Sequence, residues 1–329
     1  MNDLAEFRHF KYLLAILEHR GLRAAAEHVH TAQPNLSTQA KQFQDNFSLR
    51  LFRKGRDGRI RVTDTGIAFV PIAQDLLQAR DEAIAALMAI ENGEIHTLKF
   101  GRSSFVDREL FNAGCEVHKE MLPGCQIQPA HGDAVQLIDE VLSGEMDAAL
   151  VTLPIDDLRL TVEQIQRSRL VVCLPKNHSL ATKPVLQPAD LQTHLRVFYH
   201  PKHHPYAHAR LLEMLTNSGI TIDKQLRVSH PSEMQDMVKQ GYGFAMIREG
   251  TVLDSELVTR PVAGVDWTVD TAFVYCKQRH PKTIPVWVRR WRRMIAAESG
   301  NQRLQDADFH RKRPPQSTGA KPTQLSLLG

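Results

Sequence analysis

Apolar side chains at Phe7, Phe10, Leu14 and Leu17 recur at three- and four-residue spacing, which puts them on one helical face and predicts a helix over residues 4–18, closed by Gly21. The alanine-rich run from Arg23 to Val29 predicts a short second helix whose small side chains allow close packing. After a break at His30-Thr31-Ala32, a third helix starts at Gln33-Pro34, because proline is tolerated in a first turn. Leu36, Ala40, Phe43 and Phe47 form its apolar face, and Gln33, Asn35, Ser37, Thr38, Lys41 and Gln42 lie opposite. Residues 51–62 read as two short β-prone runs joined at Asp57-Gly58, a basic hairpin with Arg53, Lys54, Arg56, Arg59 and Arg61. From Asp64 to Asn92 the stripe Ala73, Leu76, Leu77, Ala83, Ile84, Leu87 and Ile90 predicts a long amphipathic helix that needs a partner, with Pro71 in its first two turns.

Beyond Thr97 the period changes. Short β-prone runs at 98–101, 125–129, 148–152, 170–174, 196–199, 225–228, 243–247 and 268–276 alternate with helical patterns at 108–121, 133–143, 206–217, 232–240 and 285–297. That is the form of an α/β domain with a largely parallel sheet, in two sets, with the last strand and helix returning to the first set.

A chain of 329 residues has room for two folded units. Net charge is +4 over residues 1–66, −3 over 67–300 and +3 over 301–329, so the positive excess sits where a polyanion is met without touching the acidic middle. The amino terminus lacks the features of a secretory signal and no apolar run reaches the length of a membrane span, so the expectation is a cytoplasmic protein with no membrane role. Cys115, Cys125, Cys173 and Cys276 are scattered without a C-x-x-C pair, which argues for small buried hydrophobes rather than a zinc knuckle or disulfide framework.

In the first part of the chain, Phe10, Ala24-Ala25, Ala32-Gln33-Pro34, Leu36-Ser37, Leu51-Phe52-Arg53 and Thr63-x-x-Gly66 stand in an order and spacing that resembles the winged helix-turn-helix of LysR-type regulators. The family has Leu-Glu, Leu-Gly and Ser where this chain reads Phe43-Gln44, Phe47-Ser48 and Leu22. The resemblance continues in Pro123, Gly132-Asp133, Leu142-Ser143-Gly144-Glu145-Met146-Asp147 and Val238-x-x-Gly241-x-Gly243. It implies an α-rich winged helix-turn-helix domain (1–66), a linker helix that pairs with its mate in another subunit (67–94), and a two-lobed periplasmic-binding-protein-like α/β effector domain. The lobes would be 95–163 with 267–299, and 164–266. A polar, basic tail over 300–329 has little apolar material to bury and is expected to be disordered.

On this reading the protein is a homodimeric or homotetrameric transcription regulator, activator or repressor, that binds double-stranded DNA and a small-molecule effector and has RNA polymerase as a further possible partner class. Gln33, Pro34, Asn35, Ser37 and Thr38 would read bases, and Lys41, Arg53, Arg56 and Arg59 would neutralise phosphates. Strand ends in an open α/β sheet are where ligands sit. That geometry selects Ser103, Ser104, Asp133, Thr152, His200, Ser229 and Arg248. The three hydroxyls Ser103, Ser104 and Thr152 suit a carboxylate that Arg248 or His200 would neutralise. Each of them also reads as an ordinary strand-end group, and Asp133 as a helix N-cap that would repel an anion.

Other chemistries leave fainter traces. His200, His203, His204 and His208 crowd one segment, which reads either as a metal site or, because two prolines interrupt it and no cysteine is near, as a surface loop. Gly241-Tyr242-Gly243 begins a dinucleotide fingerprint, but Met246 stands for its third glycine and the run precedes a strand. No Gly-x-Ser-x-Gly elbow, phosphate loop or His-Glu-x-x-His occurs, so an enzyme or a ligand carrier on the same fold is the alternative, and no cofactor is expected. Gln324-Leu325-Ser326-Leu327-Leu328 resembles the short peptide by which bacterial proteins dock on the sliding clamp.

Overall fold

The computed structural model describes residues 5–55, 59–222 and 224–311, with side chains up to residue 297. Arg56 with the Asp57-Gly58 turn, and the clamp-like peptide at 324–328, lie outside the described residues. The chain divides into two compact units, one of residues up to Leu98 with 124–126 and 280–286, the other of the remainder.

The first unit is built from α1 (Phe7–His19), α2 (Leu22–His28), α3 (Gln33–Asn46), a hairpin of β1 (Phe52–Lys54) and β2 (Ile60–Val62), and α4 (Asp64–Glu91). Its core joins Leu13, Ile16 and Leu17 of α1 to Ala25, Leu36, Ala40, Phe43, Leu51, Ile60 and Phe69. The buried face of α1 is therefore turned from the expected one: Phe7 is 47% exposed, while Leu13 and Ile16 are fully covered. A helix packed by neighbours on several sides buries a wide arc, and a single stripe underestimates it. Gly21 does not end α1. Arg20 takes the left-handed conformation (φ 50°), and Gly21, extended, is the N-cap of α2.

Helix α4 begins where the side chain of Thr63 accepts a hydrogen bond from the Gly66 amide at 3.1 Å. Pro71 is its eighth residue, just past the expected two turns, and lies on an exposed face of the helix. Ala73, Ala86 and Ala89 are buried, but Ile84, Leu87, Met88 and Ile90 are exposed within this unit.

In the second unit, β3 (Thr97–Ser103), α5 (Arg108–Met121), β4 (Gln126–Gly132), α6 (Ala134–Ser143) and β5 (Ala148–Thr152) lead into β6 (Leu160–Pro175). Then follow α7 (Pro188–Leu191), β7 (Leu195–Tyr199), α8 (Pro205–Asn217), β8 (Leu226–Val228), α9 (Pro231–Lys239), β9 (Phe244–Arg248), β10 (Leu257–Arg260), β11 (Thr268–Cys276) and α10 (Ile284–Arg311). The strand order is β4-β3-β5-β11-β6-β9-β7-β8, with β10 also on β6.

The sheet is mixed rather than largely parallel. β3 and β5, β7 and β8, and β7 and β9 are parallel, but β11 runs antiparallel to both β5 and β6, and β6 antiparallel to β9 and β10. The reason is β6, 16 residues long where a short strand at 170–174 was expected. Its first part, up to Arg169, pairs with β11, and Leu170 to Cys173 pair with β9, so one strand serves two lobes.

Helix α10 seals the first lobe with Trp287 and Trp291, whose rings meet Phe273, and with Trp287 also against Phe100. It continues to Arg311, which corrects the expected onset of a structureless tail at residue 300. No proline interrupts residues 286–311, and Gln302, Arg303, Leu304, Gln305 and Ala307 are good helix formers.

His118 of α5 is fully buried against the Trp287 ring, 4.9 Å between centroids, and neither ring nitrogen has a partner among the described residues. Burial lowers its pKa, so the neutral imidazole is what the fold accommodates. The unfolded chain takes up that proton near the ordinary value of about 6.5 and the folded one only at lower pH. Stability from this site is thus complete above that value and is lost as pH falls towards the folded-state pKa. Denaturant melts at neutral and mildly acid pH check this: the parent should lose stability in acid and His118→Leu should lose less. An equal acid loss in the variant would remove His118 from the account.

Candidate nucleic-acid interface and ligand cleft

Helix α3 presents two chemically distinct sides. Leu36, Ala40 and Phe43 face the core, while Gln33, Pro34, Asn35, Thr38, Lys41 and Gln42 are exposed and Ser37 is half-buried. Ala32 at the N-cap contributes no side-chain bond, and the first turn is steadied instead by Asn35, which donates to the Thr31 hydroxyl at 3.0 Å. Gln39, on the flank, is held by His9 at 2.8 Å. Gln44 is buried and ties the helix to the hairpin, its side-chain oxygen accepting from the Leu51 amide at 2.8 Å.

The hairpin is short and basic. Arg53 and Arg61 are cross-strand partners, both exposed, and Lys54 and Arg59 are exposed beside them. Like charges set directly opposite one another destabilise an isolated ladder. A polyanion lying along the hairpin reverses that sign, because each neutralised phosphate releases a counterion.

The strand ends of the second unit meet in a polar layer that joins the two lobes. Asp133 stands at the N-cap position of α6 but makes no capping bond. Its carboxylate instead accepts from the Tyr199 hydroxyl at 3.2 Å and is bonded to Nδ1 of His203. On the other side of the imidazole, Nε2 lies 3.3 Å from the Ser229 hydroxyl. Ser104 bonds to Tyr199, whose pKa is pushed up to about 12, chiefly by burial, so the phenol keeps its proton.

Thr152, ending β5, gives its carbonyl to Nε2 of His204 at 2.6 Å. His204 also caps α8, accepting from the Ala207 amide at 3.2 Å, and burial lowers its pKa, so both nitrogens of a neutral ring are engaged. Arg248 is paired with Asp107 at 2.6 Å, with side-chain exposures of only 16% and 24%. Its charge is therefore already met.

Of the seven residues expected around a ligand, Asp133, Ser229 and Ser104 are drawn together by His203 and Tyr199. Thr152 and Arg248 line an adjoining cavity of about 130 Å³. Ser103 is buried with its hydroxyl unpartnered among the described residues. His200 is not drawn in; its Nδ1 accepts from the Lys202 amide at 3.1 Å at the start of a 3₁₀ turn.

The histidine segment is thus no surface loop. His-Pro at 204–205 is a helix start, a capping side chain followed by proline at the first helical position, and that signal was available in the sequence. Among the described residues no group of three or more His, Cys, Asp or Glu is arranged to hold a metal.

Asp133, His203 and Ser229 stand in the order of a nucleophilic relay, which bears on the enzyme alternative. Such a relay requires amide donors beside the hydroxyl to receive an oxyanion. Here the Ser229 and His230 amides both donate to the Glu233 carboxylate, at 2.8 and 3.3 Å. A fixed negative charge occupies the place where negative charge would develop, which disfavours acyl transfer at this serine.

Residues 7–67 match the model of the bacterial regulatory helix-turn-helix protein, lysR family, and residues 92–297 match that of the LysR substrate binding domain. The chain is 25% identical over 253 residues, 72% of its length and 78% of the relative's, to the uncharacterized HTH-type transcriptional regulator YcgK of Bacillus subtilis (strain 168). It is 24% identical over 245 residues to the HTH-type transcriptional regulator BudR of Raoultella terrigena, covering 74% and 84% of the two chains. In fold it is similar to full-length BenM (TM-score 0.55, 20% identity, 90% and 98% covered). It is similar also to full-length CbnR complexed with its target DNA (TM-score 0.53, 18% identity, 88% and 100% covered).

Proposed function

The chain belongs to the LysR family of bacterial transcription regulators, and from that membership we propose how its own residues divide the work of a DNA-binding, effector-responsive regulator. Residues 1–66 form the DNA-reading domain, 67–94 the linker helix and 95–299 the effector domain. The alternative of a carrier or enzyme falls, because the relatives are regulators. Two linker helices, through exposed apolar residues such as Ile84 and Leu87, join subunits into a dimer or tetramer, as an exposed apolar stripe on a single helix calls for a mate. The protein acts in the cytoplasm, and contact with RNA polymerase is the route to altered transcription.

Gln33, Pro34, Asn35, Ser37 and Thr38 enter the major groove and read base edges, and Lys41, Arg53, Arg56 and Arg59 contact phosphates. One observation carries this assignment: Arg53 and Arg61, both exposed, face each other across a two-stranded ribbon, so two cations stand side by side on its surface. The effector is held between the lobes, in the cavity that Thr152 and Arg248 line, next to the polar layer of Ser104, Asp133 and Ser229. Binding changes the relation of the lobes and so the spacing of DNA readers across the oligomer.

Binding of genome fragments across a series of salt concentrations tests the reading face. Arg53→Ala should weaken binding to every sequence and lower the salt slope by about 1. Ser37→Ala should cost the preferred site about 1–3 kcal/mol relative to others and leave non-specific binding alone. If both variants bind as the parent does, this face does not contact DNA.

A further inference from the structure

We infer that the ligand of the interlobe cavity is a compact, uncharged molecule about the size of one aromatic ring, and not the carboxylate that the strand-end hydroxyls suggest. This deepens the effector reading above and rests on it.

The cavity's volume of about 130 Å³ is the first constraint. A closed apolar cavity of about 150 Å³ is filled by one benzene molecule, so the enclosed part of this one, which opens to solvent on one side, takes a single ring or a short branched chain. Its character is the second. Met214, Met234 and Met246, from α8, α9 and β9, line it together with Phe105, Phe198 and Leu211. Methionine thioethers are polarizable and adapt their rotamers to flat rings.

The third constraint is that both cations of the wall, Arg248 and Arg210, already have carboxylate partners. Arg248 is bound to Asp107, and an anion that drew it away would leave that half-buried carboxylate without its cation; Arg210, at the wall's exposed side, is bound to Glu213 at 2.6 Å. His204 is neutral, with both nitrogens bonded. His208 is held neutral by burial as well, so the wall offers an uncharged imidazole, beside the hydroxyls of Thr152 and Thr268, for one polar substituent. An ionised carboxylate placed here would shed its hydration and find only cations already paired with Asp107 and Glu213.

The cavity wall also explains how such a ligand is sensed. Phe105 follows β3 in the first lobe and Tyr199 ends β7 in the second, and their rings meet edge to face at 4.3 Å. Tyr199 is the same residue that donates to Asp133 across the lobes. A ring pressed against Tyr199 therefore bears on the polar layer without touching it.

The test uses the full chain with ¹³C-labelled methionine methyls, titrated with phenol and, separately, with benzoate, the same ring with and without a charge. Phenol should shift the methyls of Met214, Met234 and Met246 at saturable concentrations, and benzoate should bind at least about tenfold more weakly. Ala207→Leu, which adds bulk from α8 into the cavity while keeping a helix former, should abolish the phenol shifts. Benzoate binding as tightly as phenol, or phenol leaving all three methyls unmoved, overturns the inference. DNA affinity measured alongside separates the two readings: phenol that shifts the methyls without altering DNA binding supports the ligand class and overturns the effector role of this cavity.

Discussion

Replacing Gly66 by alanine should destabilise the amino-terminal unit on the order of 3 kcal/mol and abolish DNA binding with it. Gly66 is the third residue of α4, a helical position where alanine would ordinarily gain about 1 kcal/mol. Contact reverses the sign. A β-carbon at Gly66 would lie 2.0 Å from the Leu51 carbonyl oxygen and 2.8 Å from a methyl of Val62. Neither can withdraw cheaply. The Leu51 carbonyl accepts the Thr63 amide at 3.0 Å, the Thr63 hydroxyl donates to the Arg50 carbonyl, and Leu51 itself is fully buried. The strand entering the hairpin, the strand leaving it and the start of α4 are thus clamped at one point, and a single methyl group forces them apart. Chemical denaturation followed by circular dichroism, with DNA binding on the same samples, measures the effect. A variant within about 0.5 kcal/mol of the parent that still binds DNA would show the close approach to be wrong.

The second large effect belongs to the other unit. Gly114→Ala should cost about 2–3 kcal/mol and shift the tryptophan emission, because the added carbon would meet three atoms of the Trp291 ring at 2.5 to 2.8 Å. That ring is walled in, stacked on Trp287 at 6.3 Å and set edge-on to Phe273 at 6.2 Å. Trp287 in turn donates its indole N–H to the Gly114 carbonyl at 2.9 Å, so α5 cannot retreat without breaking a buried hydrogen bond. The chain has three tryptophans and two of them are in this contact, which makes emission a sensitive local report. An unchanged spectrum and an unchanged melt would mean that α5 and α10 are packed more loosely than described.

Much of this architecture is legible in the amino-acid sequence. The helix over 108–121 and the strands over 148–152 and 268–276 fall where periodicity put them, since each is a strong pattern bounded by turn residues. The face of α1 was not legible, because its burial is decided by three neighbours rather than by its own stripe. The first part of β6, with Glu163, Gln164, Gln166, Arg167 and Arg169, reads as a polar connection and becomes a strand through its ladder to β11, about a hundred residues away. Ser48 takes a left-handed backbone (φ 53°) at a position where the family resemblance implies glycine, a conformation that no propensity scale assigns to serine.

The candidate cleft was half visible. Strand ends pointed to Asp133, Thr152 and Arg248, but their charge state depended on partners that local sequence does not reveal. Tyr199 and His203 reach Asp133 across 66 and 70 residues. Asp107, which occupies Arg248, likewise comes from the other lobe. The effect is to move the expected ligand from an anion towards a neutral ring.

The place of β11 between β5 and β6 also governs the order in which the molecule is made. A ribosome delivers the helices and hairpin of the first unit early, and they can assemble at once. The first lobe cannot follow. β5 waits with an open edge until residues 268–276 emerge, more than a hundred residues later, and β6 waits for the same strand. Through that interval the nascent chain carries the apolar strand Ala-Ala-Leu-Val-Thr unpaired on one side, the kind of exposed edge that invites association with neighbours. The same insertion that lets two lobes share a strand therefore makes the effector domain the vulnerable stage of this protein's synthesis.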